Sequence, residues 1–269
     1  MPTVEENLRV WSEYNWAERG NEWNQGYGGT QNAWEWAVYP RIRAFVPAKH
    51  ILEIAPGRGV WTEYLRPLAE RMTLVDLVPE CIEACKAKFG RRGMDYIAND
   101  GRTFPGVATS SIDFVFSWHS LVHCDHEVMR SYVGEPGRVM RPGAFGLIHH
   151  SDFESVIDPA TGQAPFENFH WRGRDMSAAK FRADCASRGL HCVYQELVPW
   201  GYPTPTDAFS VFTKPMHGNV DRPTIVDENR TFWEQVQTLA QLKERYQRTP
   251  GDISSPHFAN GSLRNLPVG

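Results

Sequence analysis

The sequence predicts an α/β protein built around a parallel β-sheet, and two adjacent patterns carry that prediction. Residues 51–54, Ile-Leu-Glu-Ile, suit a buried strand and run directly into a turn that contains Gly57 and Gly59. A helical pattern follows, because apolar residues recur at three- and four-residue steps over residues 61–69. Glycine lets a backbone approach a ligand closely, and a helix start offers unpaired N–H groups. The stretch therefore predicts a cradle for a nucleotide-like ligand.

Further predicted strands follow at regular intervals, and two of them end in an acid. Residues 72–76 form a second strand that ends in Asp76, and residues 96–100 form a third that ends in Asp100. Residues 111–117 are the fourth. Because the carboxyl ends of parallel strands meet at one edge of the sheet, where ligands bind, the first acid is placed for a ribose diol and the second for an adenine amino group.

These four strand ends, with their acids in this order, resemble class I S-adenosylmethionine-dependent methyltransferases over residues 49–214. The resemblance implies a Rossmann-like fold with a seven-stranded sheet whose last strand is antiparallel, and S-adenosylmethionine (SAM) as the cofactor. It places Glu53, Ala55 and Gly57 along the methionine part of SAM. Asp76 is expected at the ribose and Asp100 at the adenine. The cofactor-binding residues that it implies are Glu53, Ala55, Gly57, Gly59, Asp76, Asp100, Gly101 and Ser117.

A nicotinamide-binding Rossmann domain is the alternative interpretation of the glycine turn. Its fingerprint needs a third glycine three residues after the second. Thr62 stands at that place, and no second mononucleotide-binding half follows in the chain. The sequence therefore favours the methyltransferase interpretation.

Composition narrows the class of partner. The 269 residues, 41% of them apolar, suffice for one full α/β domain with additions. A net charge of −4 disfavours nucleic acid as a substrate. The sequence has no apolar run of about 18 residues, as a membrane span needs, and its acidic N-terminus is unlike a secretory signal. Five cysteines without Cys-x-x-Cys pairs predict reduced thiols in a cytoplasmic enzyme.

We expect three parts in the chain. Residues 1–47 form an N-terminal helical cap over the active site, residues 48–214 the methyltransferase domain, and residues 215–269 a C-terminal amphipathic helix and tail. The helix spans Thr224 to about Tyr246, and its apolar stripe predicts packing on the domain or in a homodimer. In this class such an N-terminal extension commonly folds over the cofactor and lines the acceptor pocket.

The expected cap is rich in aromatic residues. Trp23, Tyr27 and Trp36 are candidates for a stacking wall beside the acceptor. Aromatic faces suit sugars, whose C–H edges are apolar while their hydroxyl groups are polar. The cap therefore contributes candidate substrate-binding residues.

Histidines gather at the predicted ligand edge of the sheet. His119 and His123 follow the fourth strand, whereas His149 and His150 end the fifth. Alternation sends the last two to opposite faces, and we expect His150, nearer the strand tip, to face the cleft. The loops at residues 153–175 and 199–207 should approach the same edge. Three residues from this region join the candidate substrate-binding set: His119, Trp171 and Trp200.

An acceptor hydroxyl becomes a good nucleophile when a base removes its proton. We expect His150 to be that base, with His123 as the second candidate, and Asp207 to orient the imidazole or hold the acceptor. Alternatively, His150 and Asp207, with help from Asp152, hold a magnesium ion that binds vicinal hydroxyl groups and lowers their pKa.

Four short segments resemble bacterial sugar O-methyltransferases. They are Glu22-Trp23, residues 53–57, His149-His150-Ser and residues 207–212. Mannoside methyltransferases of mycobacterial methylmannose polysaccharide synthesis are among the proteins they resemble. The resemblance implies a hydroxyl group of a sugar or oligosaccharide as acceptor, in polysaccharide biosynthesis. Two alternatives stay open: methyl transfer to an amine or a phenolic natural product, and a SAM-binding protein without catalysis.

Overall fold

The computed structural model describes residues 3–217, 220 and 222–246, and over these residues the chain forms one mixed β-sheet between two layers of helices. The strands are β1 (Ala48–Ile54), β2 (Ala69–Asp76), β3 (Met94–Ala98), β4 (Ile112–Ser117), β5 (Met140–Ser151), β6 (His191–Val198), β7 (Asp207–Thr213) and β8 (Ile225–Glu228). Their order across the sheet is β3-β2-β1-β4-β5-β7-β6-β8.

Among the residues that the structure describes, three α-helices precede β1, four lie between later strands, and one follows β8. The α-helices are α1 (Val4–Glu13), α2 (Thr30–Asn32), α3 (Tyr39–Ile42), α4 (Val60–Leu65), α5 (Pro79–Phe89), α6 (His126–Val139), α7 (Ala178–Ser187) and α8 (Phe232–Tyr246). A π-helical segment, Ala33–Val38, joins α2 to α3. Short 3₁₀ segments cover Trp16–Glu18, Asn21–Tyr27, Arg66–Leu68, Leu121–His123 and Phe153–Val156.

The topology confirms a Rossmann-like methyltransferase fold and corrects the strand number. Strand β7 pairs antiparallel with both β5 and β6, as expected of the last strand of the class. An eighth strand, β8, then pairs parallel with β6. It occupies residues that we expected to begin the C-terminal helix, which instead starts at Phe232. The expected tail, residues 251–269, lies outside the described residues.

Central strands of the sheet are buried on both faces, which explains their almost continuous apolar sequences. In β1 the last five residues are buried, including Glu53. One face of the sheet packs on the cap segments and α8, and the other on α6 and α7. No helix in the described part of the chain has the length and apolar character to cross a membrane.

Residues 3–45 lie across the carboxyl edge of the sheet and one of its faces. Helix α1 begins with a capping box between Thr3 and Glu6. Asn7, in its first turns, donates from Nδ2 to the His123 carbonyl (3.3 Å). Further along, Arg41 forms a bidentate ion pair with Glu196 of β6, with both N–O distances at 2.6 Å. The segment is therefore fixed near both of its ends, to the turn after β4 and to β6.

The ion pair between Arg41 and Glu196 should contribute more to stability than an exposed pair. The side chains of Arg41 and Glu196 are only 17% and 10% exposed, so Glu196→Ala leaves a guanidinium without its partner beside two phenyl rings. We expect Glu196→Ala to lower the free energy of unfolding by about 3 kcal/mol. Urea unfolding measures this change.

Glu228→Ala is the matched control for that experiment. Glu228 pairs with Arg230, and both side chains are more than half exposed. The expected loss is less than about 1 kcal/mol, because solvent screens an exposed pair. Equal losses in the two variants would show that the contact between the cap and β6 does not hold the fold together.

Candidate active site

The turn after β1 is the structural centre of the site. Ala55, Gly57 and Gly59 all adopt left-handed backbone angles, with φ of 53°, 55° and 78°. Asp76, at the end of the neighbouring strand, accepts hydrogen bonds from the N–H groups of Gly57 (2.9 Å) and Val78 (2.8 Å). These bonds use one lone pair on each carboxylate oxygen and leave others for a ligand. Burial raises the pKa of Asp76 to about 6.

A cavity, here called the inner cavity, opens over this turn. Its lining from the sheet edge includes Ala55, Gly57, Asp76, Gly101, Trp118 and His119. Eight further lining residues come from the N-terminal segment: Val4, Asn7, Trp11, Trp16, Arg19, Gly20, Trp23 and Asn24. The Trp16 ring lies so close to Gly57 that a Cβ there would be 3.0 Å from it. The N-terminal segment thus closes the cavity that the sheet edge opens.

A second depression, here called the outer cleft, adjoins the first. It is lined by Trp11, Tyr14, Trp23, His119, His123, Phe169, His170, Trp171, Arg172 and Trp200. Six of these are Trp, Tyr or Phe, and three are histidines. Trp11, Trp23 and His119 line both spaces. A ligand in the inner cavity and one in the outer cleft would therefore meet beside these three side chains.

A buried charged group supports this meeting point. Asp207, fully buried at the start of β7, forms an ion pair with Arg172 (2.9 Å) and contacts His149 Nε2 (2.8 Å). Burial alone would raise the pKa of Asp207, but the Arg172 guanidinium and the His149 hydrogen bond hold it well below its usual range. The charged carboxylate is thus satisfied within the fold.

His149 connects this carboxylate to the turn after β4. Its Nδ1 accepts the backbone N–H of His119 (3.3 Å), so Nε2 must carry the ring proton that goes to Asp207. Both nitrogens are used, and burial keeps the pKa of His149 below its ordinary value. His149 therefore serves to hold the backbone of His119 in place.

His119 itself has an unusual backbone and an available ring nitrogen. Its φ is 68°, which is rare for a residue with a side chain. The Nε2 atom lies 3.3 Å from the Tyr27 hydroxyl group, and within the described residues Nδ1 has no hydrogen-bond partner. Burial lowers the pKa of His119 well below its ordinary value, so the ring is neutral at pH 7. A neutral imidazole can accept a proton.

His123 offers a similar group farther out. Because a carbonyl only accepts, His123 Nδ1 donates to the Trp171 carbonyl oxygen (3.1 Å), and its Nε2 lone pair is left over. Burial lowers the pKa of His123 to about 3. The ring lines the outer cleft but not the inner cavity.

The expectation that His150 faces the cleft is wrong. Its Nδ1 donates to the Ser151 carbonyl oxygen (2.8 Å), its Nε2 contacts the Ser210 hydroxyl group (2.7 Å), and its ring stacks on Phe181 of α7. Alternation along β5 sends His149, not His150, to the face that carries Asp207. Burial lowers the pKa of His150 to about 4, as for a neutral core histidine.

The residues expected to bind a magnesium ion, His150, Asp207 and Asp152, do not form a site together either. Asp207 is paired with Arg172 and His149, and His150 points to the opposite face. Asp152 accepts hydrogen bonds from Ala178 N and Ser155. Within residues 3–217, 220 and 222–246, no group of three or more histidine, cysteine, aspartate or glutamate side chains could hold a metal ion. These residues do not fit a magnesium site.

The other expected cofactor residues fall into two groups. Ala55, Gly57, Asp76 and Gly101 line the inner cavity. Glu53, Gly59, Asp100 and Ser117 do not line it. Asp100 is exposed, because β3 ends two residues earlier than expected, and it accepts hydrogen bonds from Arg102 and Thr103 within its own loop. Gly59 supports the turn from behind, against Phe89 and Cys85.

The expected substrate residues divide in the same way. Trp23, His119, Trp171 and Trp200 line the outer cleft. Tyr27 lies buried behind His119, and Trp36 packs against the hydrophobic core. Sequence reasoning left five cleft residues out of its site list: Trp11, Tyr14, Phe169, His170 and Arg172. The aromatic content of the N-terminal segment and the residues flanking Trp171 were the available signals for them.

Comparison with known proteins identifies the class. Residues 51–143 match the model of a methyltransferase domain. The comparison with curated proteins found no match. A SAM-dependent methyltransferase from Leishmania major has a similar structure, with a TM-score of 0.58, 10% identity, and coverage of 78% of this chain and 82% of that one. The PH0226 protein from Pyrococcus horikoshii OT3 has a TM-score of 0.55 and 16% identity, and the match covers 77% of this chain and 98% of that one.

A third similar structure is DhpI in complex with SAH, with a TM-score of 0.53 and 20% identity, covering 80% of this chain and 98% of that one. At these identities the solved structures show the fold alone. The match over residues 51–143 adds that the chain carries a methyltransferase domain.

The inner cavity fits SAM on its own chemistry. Asp76 offers carboxylate lone pairs for two ribose hydroxyl groups, and the left-handed turn at residues 55–59 leaves backbone close to the ligand. One polar atom in the lining of the cavity, Trp118 Nε1, is buried without a hydrogen-bond partner in the described chain. Buried polar atoms in this condition usually have a ligand or water as partner.

Glu53 should make stability depend on pH. Burial raises its pKa to about 8, and Thr62 donates to Oε2 (2.6 Å). The folded protein therefore binds a proton there that the unfolded chain has lost, and stability falls as pH rises toward 8. Between pH 7 and 8 the free energy of unfolding should fall on the order of 1 kcal/mol more in the wild type than in Glu53→Gln.

Urea unfolding at these two pH values measures the difference. The buried histidines are neutral in the folded protein throughout this window, because burial lowers their pKa values. Glu63→Gln, at an exposed ion pair with Lys88, is the control and should keep the wild-type slope. The same pH slope in Glu53→Gln and the wild type would contradict a protonated Glu53.

Proposed function

We propose that the protein transfers the methyl group of SAM to a hydroxyl group of a sugar or oligosaccharide bound in the outer cleft. The observation that carries the proposal is the shared wall of the two spaces: His119 lines both, and its ring is neutral with one nitrogen available. SAM supplies an electrophilic methyl group on a sulfonium when it is bound. The chain must then hold the acceptor in line and take its proton.

The proton acceptor that we propose is His119. It lies where the inner cavity and the outer cleft meet, next to the place that the nucleophilic oxygen would occupy. The Tyr27 hydroxyl group and the His149 contact to its backbone fix the residue, and Asp207 fixes His149 in turn. His123 is a candidate because its Nε2 keeps a lone pair. It comes second because its ring lines the outer cleft but not the inner cavity.

The lining of the outer cleft supports a sugar over an amine. Six aromatic rings offer apolar faces, and three imidazoles and a guanidinium offer hydrogen bonds. Among the described residues that line the cleft, no carboxylate is present to attract an ammonium group, and the nearby Asp207 is paired with Arg172. A sugar presents C–H faces to rings and hydroxyl edges to polar groups, so it matches this lining. A phenol would use the rings but fewer of the polar groups.

A methyl-transfer assay with labelled SAM tests the proposal. The acceptors are a panel of mannosides, glucosides and rhamnosides, with an amine panel and a phenol panel beside them. We expect methylated glycoside, at a rate unaffected by chelator or added magnesium, because the donor set for a metal is not assembled. Product only from amines or phenols would overturn the sugar proposal, and binding of SAM without product from any panel would favour a non-catalytic protein.

His119→Ala should lower kcat roughly 10²- to 10⁴-fold, the usual contribution of a general base. The loss should be larger than that of His123→Ala, because only His119 lines both spaces. His150→Gln is the control and should keep kcat within a few fold, since His150 lies in the core. Titration with SAH checks that each variant is folded. Wild-type kcat in His119→Ala would exclude this residue as the base.

Three expectations from the sequence remain proposals. The cytoplasm is the proposed location, and the division into cap, methyltransferase domain and C-terminal segment is the proposed organisation. A homodimer would use the outer face of α8, where Leu239 and Leu242 are exposed. The inner face of that helix already packs on the chain itself, through Phe232, Val236 and the hydrogen bond from Trp233 to Pro199 O (2.8 Å).

A further inference from the structure

We infer that Phe169 and Trp171 form an outer subsite, which binds a second sugar ring of an oligosaccharide acceptor beyond the ring that is methylated. This inference rests on the proposed function. It concerns residues 168–173, a segment of the loop between β5 and α7, and it assigns a binding role to two of the most exposed aromatic side chains in the described chain.

Both rings are exposed at the mouth of the outer cleft. Phe169 is 63% exposed and Trp171 is 55% exposed, and each lines the cleft. Neither ring stacks on another aromatic side chain in the described residues. Burial of large apolar rings is the ordinary outcome of folding, so two exposed rings on the rim of a cavity indicate a binding surface.

The segment that carries these rings is fixed in place. Asn168 and Arg172 exchange two hydrogen bonds of 2.8 Å between the Asn168 side chain and the Arg172 backbone. The Gly173 N–H donates to the Val122 carbonyl oxygen (2.9 Å), and Ser151 Oγ donates to the Gly173 carbonyl oxygen (2.7 Å). A Cβ at Gly173 would overlap the Cys124 carbonyl oxygen. The two rings are therefore held by a rigid support.

Trp171 also has a strained backbone. Its φ of 50° lies in the left-handed region, which bulky residues rarely adopt. The hydrogen bond from His123 Nδ1 to the Trp171 carbonyl oxygen (3.1 Å) helps to hold that conformation. Strain of this kind persists where the surrounding structure imposes it, and it is concentrated at binding and catalytic sites.

The chemistry of the rim fits a sugar ring. His170 stands between the two aromatic residues and is also exposed, so the rim offers aromatic faces and an imidazole hydrogen-bonding group together. Sugars combine an apolar C–H face with hydroxyl groups at the edge. The rim is continuous with the cleft that contains His119. If the first sugar ring lies at His119, the second ring of the same oligosaccharide would lie at Phe169 and Trp171.

Kinetics with matched acceptors test the subsite. The acceptors are a monosaccharide glycoside and the disaccharide glycoside that extends it by one sugar, both with a methyl aglycone. We expect Trp171→Ala to raise KM for the disaccharide roughly two- to tenfold and to leave KM for the monosaccharide unchanged. The kcat values should stay near the wild type, because an outer ring stacks equally in the ground state and the transition state.

Three variants make the result specific. Trp171→Tyr keeps an aromatic face and should restore most of the disaccharide affinity, Phe169→Ala should repeat the effect of Trp171→Ala, and Tyr246→Ala removes an exposed ring outside the cleft and should change neither KM. Calorimetric titration of the disaccharide in the presence of SAH gives the same comparison without turnover.

The outcomes separate this inference from the proposed function. Equal KM increases for both acceptors would overturn the subsite and place Trp171 at the first ring. Unchanged KM values would also overturn it. An affinity that follows the hydrophobicity of the aglycone, rather than the second sugar, would show that the rim binds an apolar group. If the wild type methylates no glycoside, the proposed function fails and the subsite fails with it.

Discussion

The buried carboxylate of Asp207 is the constraint on which the site depends. A charge removed from water is tolerated only with close partners, and Asp207 obtains them from Arg172, His149 and Thr206. Arg172 belongs to the loop after β5, so the ion pair holds that loop against the sheet. His149 directs Nε2 to the carboxylate and therefore presents Nδ1 to the backbone of His119. One interaction thus fixes both the inner end and the rim of the outer cleft.

The N-terminal segment completes what the sheet begins. An open α/β sheet offers a ligand only its carboxyl edge, which is accessible to water. In this protein, α1 and the 3₁₀ turns that follow it bring Trp11, Trp16 and Trp23 over that edge, where their rings contact one another. Trp16 also covers Gly57, at the centre of the glycine turn. In the function that we propose, the methyl donor and the acceptor therefore meet beside a largely aromatic wall.

Much of the fold was predictable from the sequence, because buried parallel strands and a glycine turn leave strong local patterns. The succession of the first seven strands along the chain follows from those patterns. The antiparallel last strand and the expected places of Ala55, Gly57 and Asp76 came from the resemblance to class I methyltransferases. The errors arose where a shift of one or two residues changes the result. His149 and His150 are adjacent, so strand alternation alone could not decide which of them faces Asp207. Strand β3 ends at Ala98, so Asp100 lies in a loop. The short β8 has four exposed residues and leaves no burial pattern in the sequence.

Burial gives the histidines of the site a common property that suits the proposed chemistry. The pKa values of His119, His123 and His149 are all lowered, and Asp207 and Arg172 cancel each other's charge. The cleft is therefore close to neutral before reaction, and no imidazolium repels a cationic methyl donor. When His119 takes the proton of the acceptor, the sulfonium charge disappears in the same reaction. The enclosure thus contains one positive charge before and after methyl transfer, which avoids the cost of creating a new charge in a low-dielectric space.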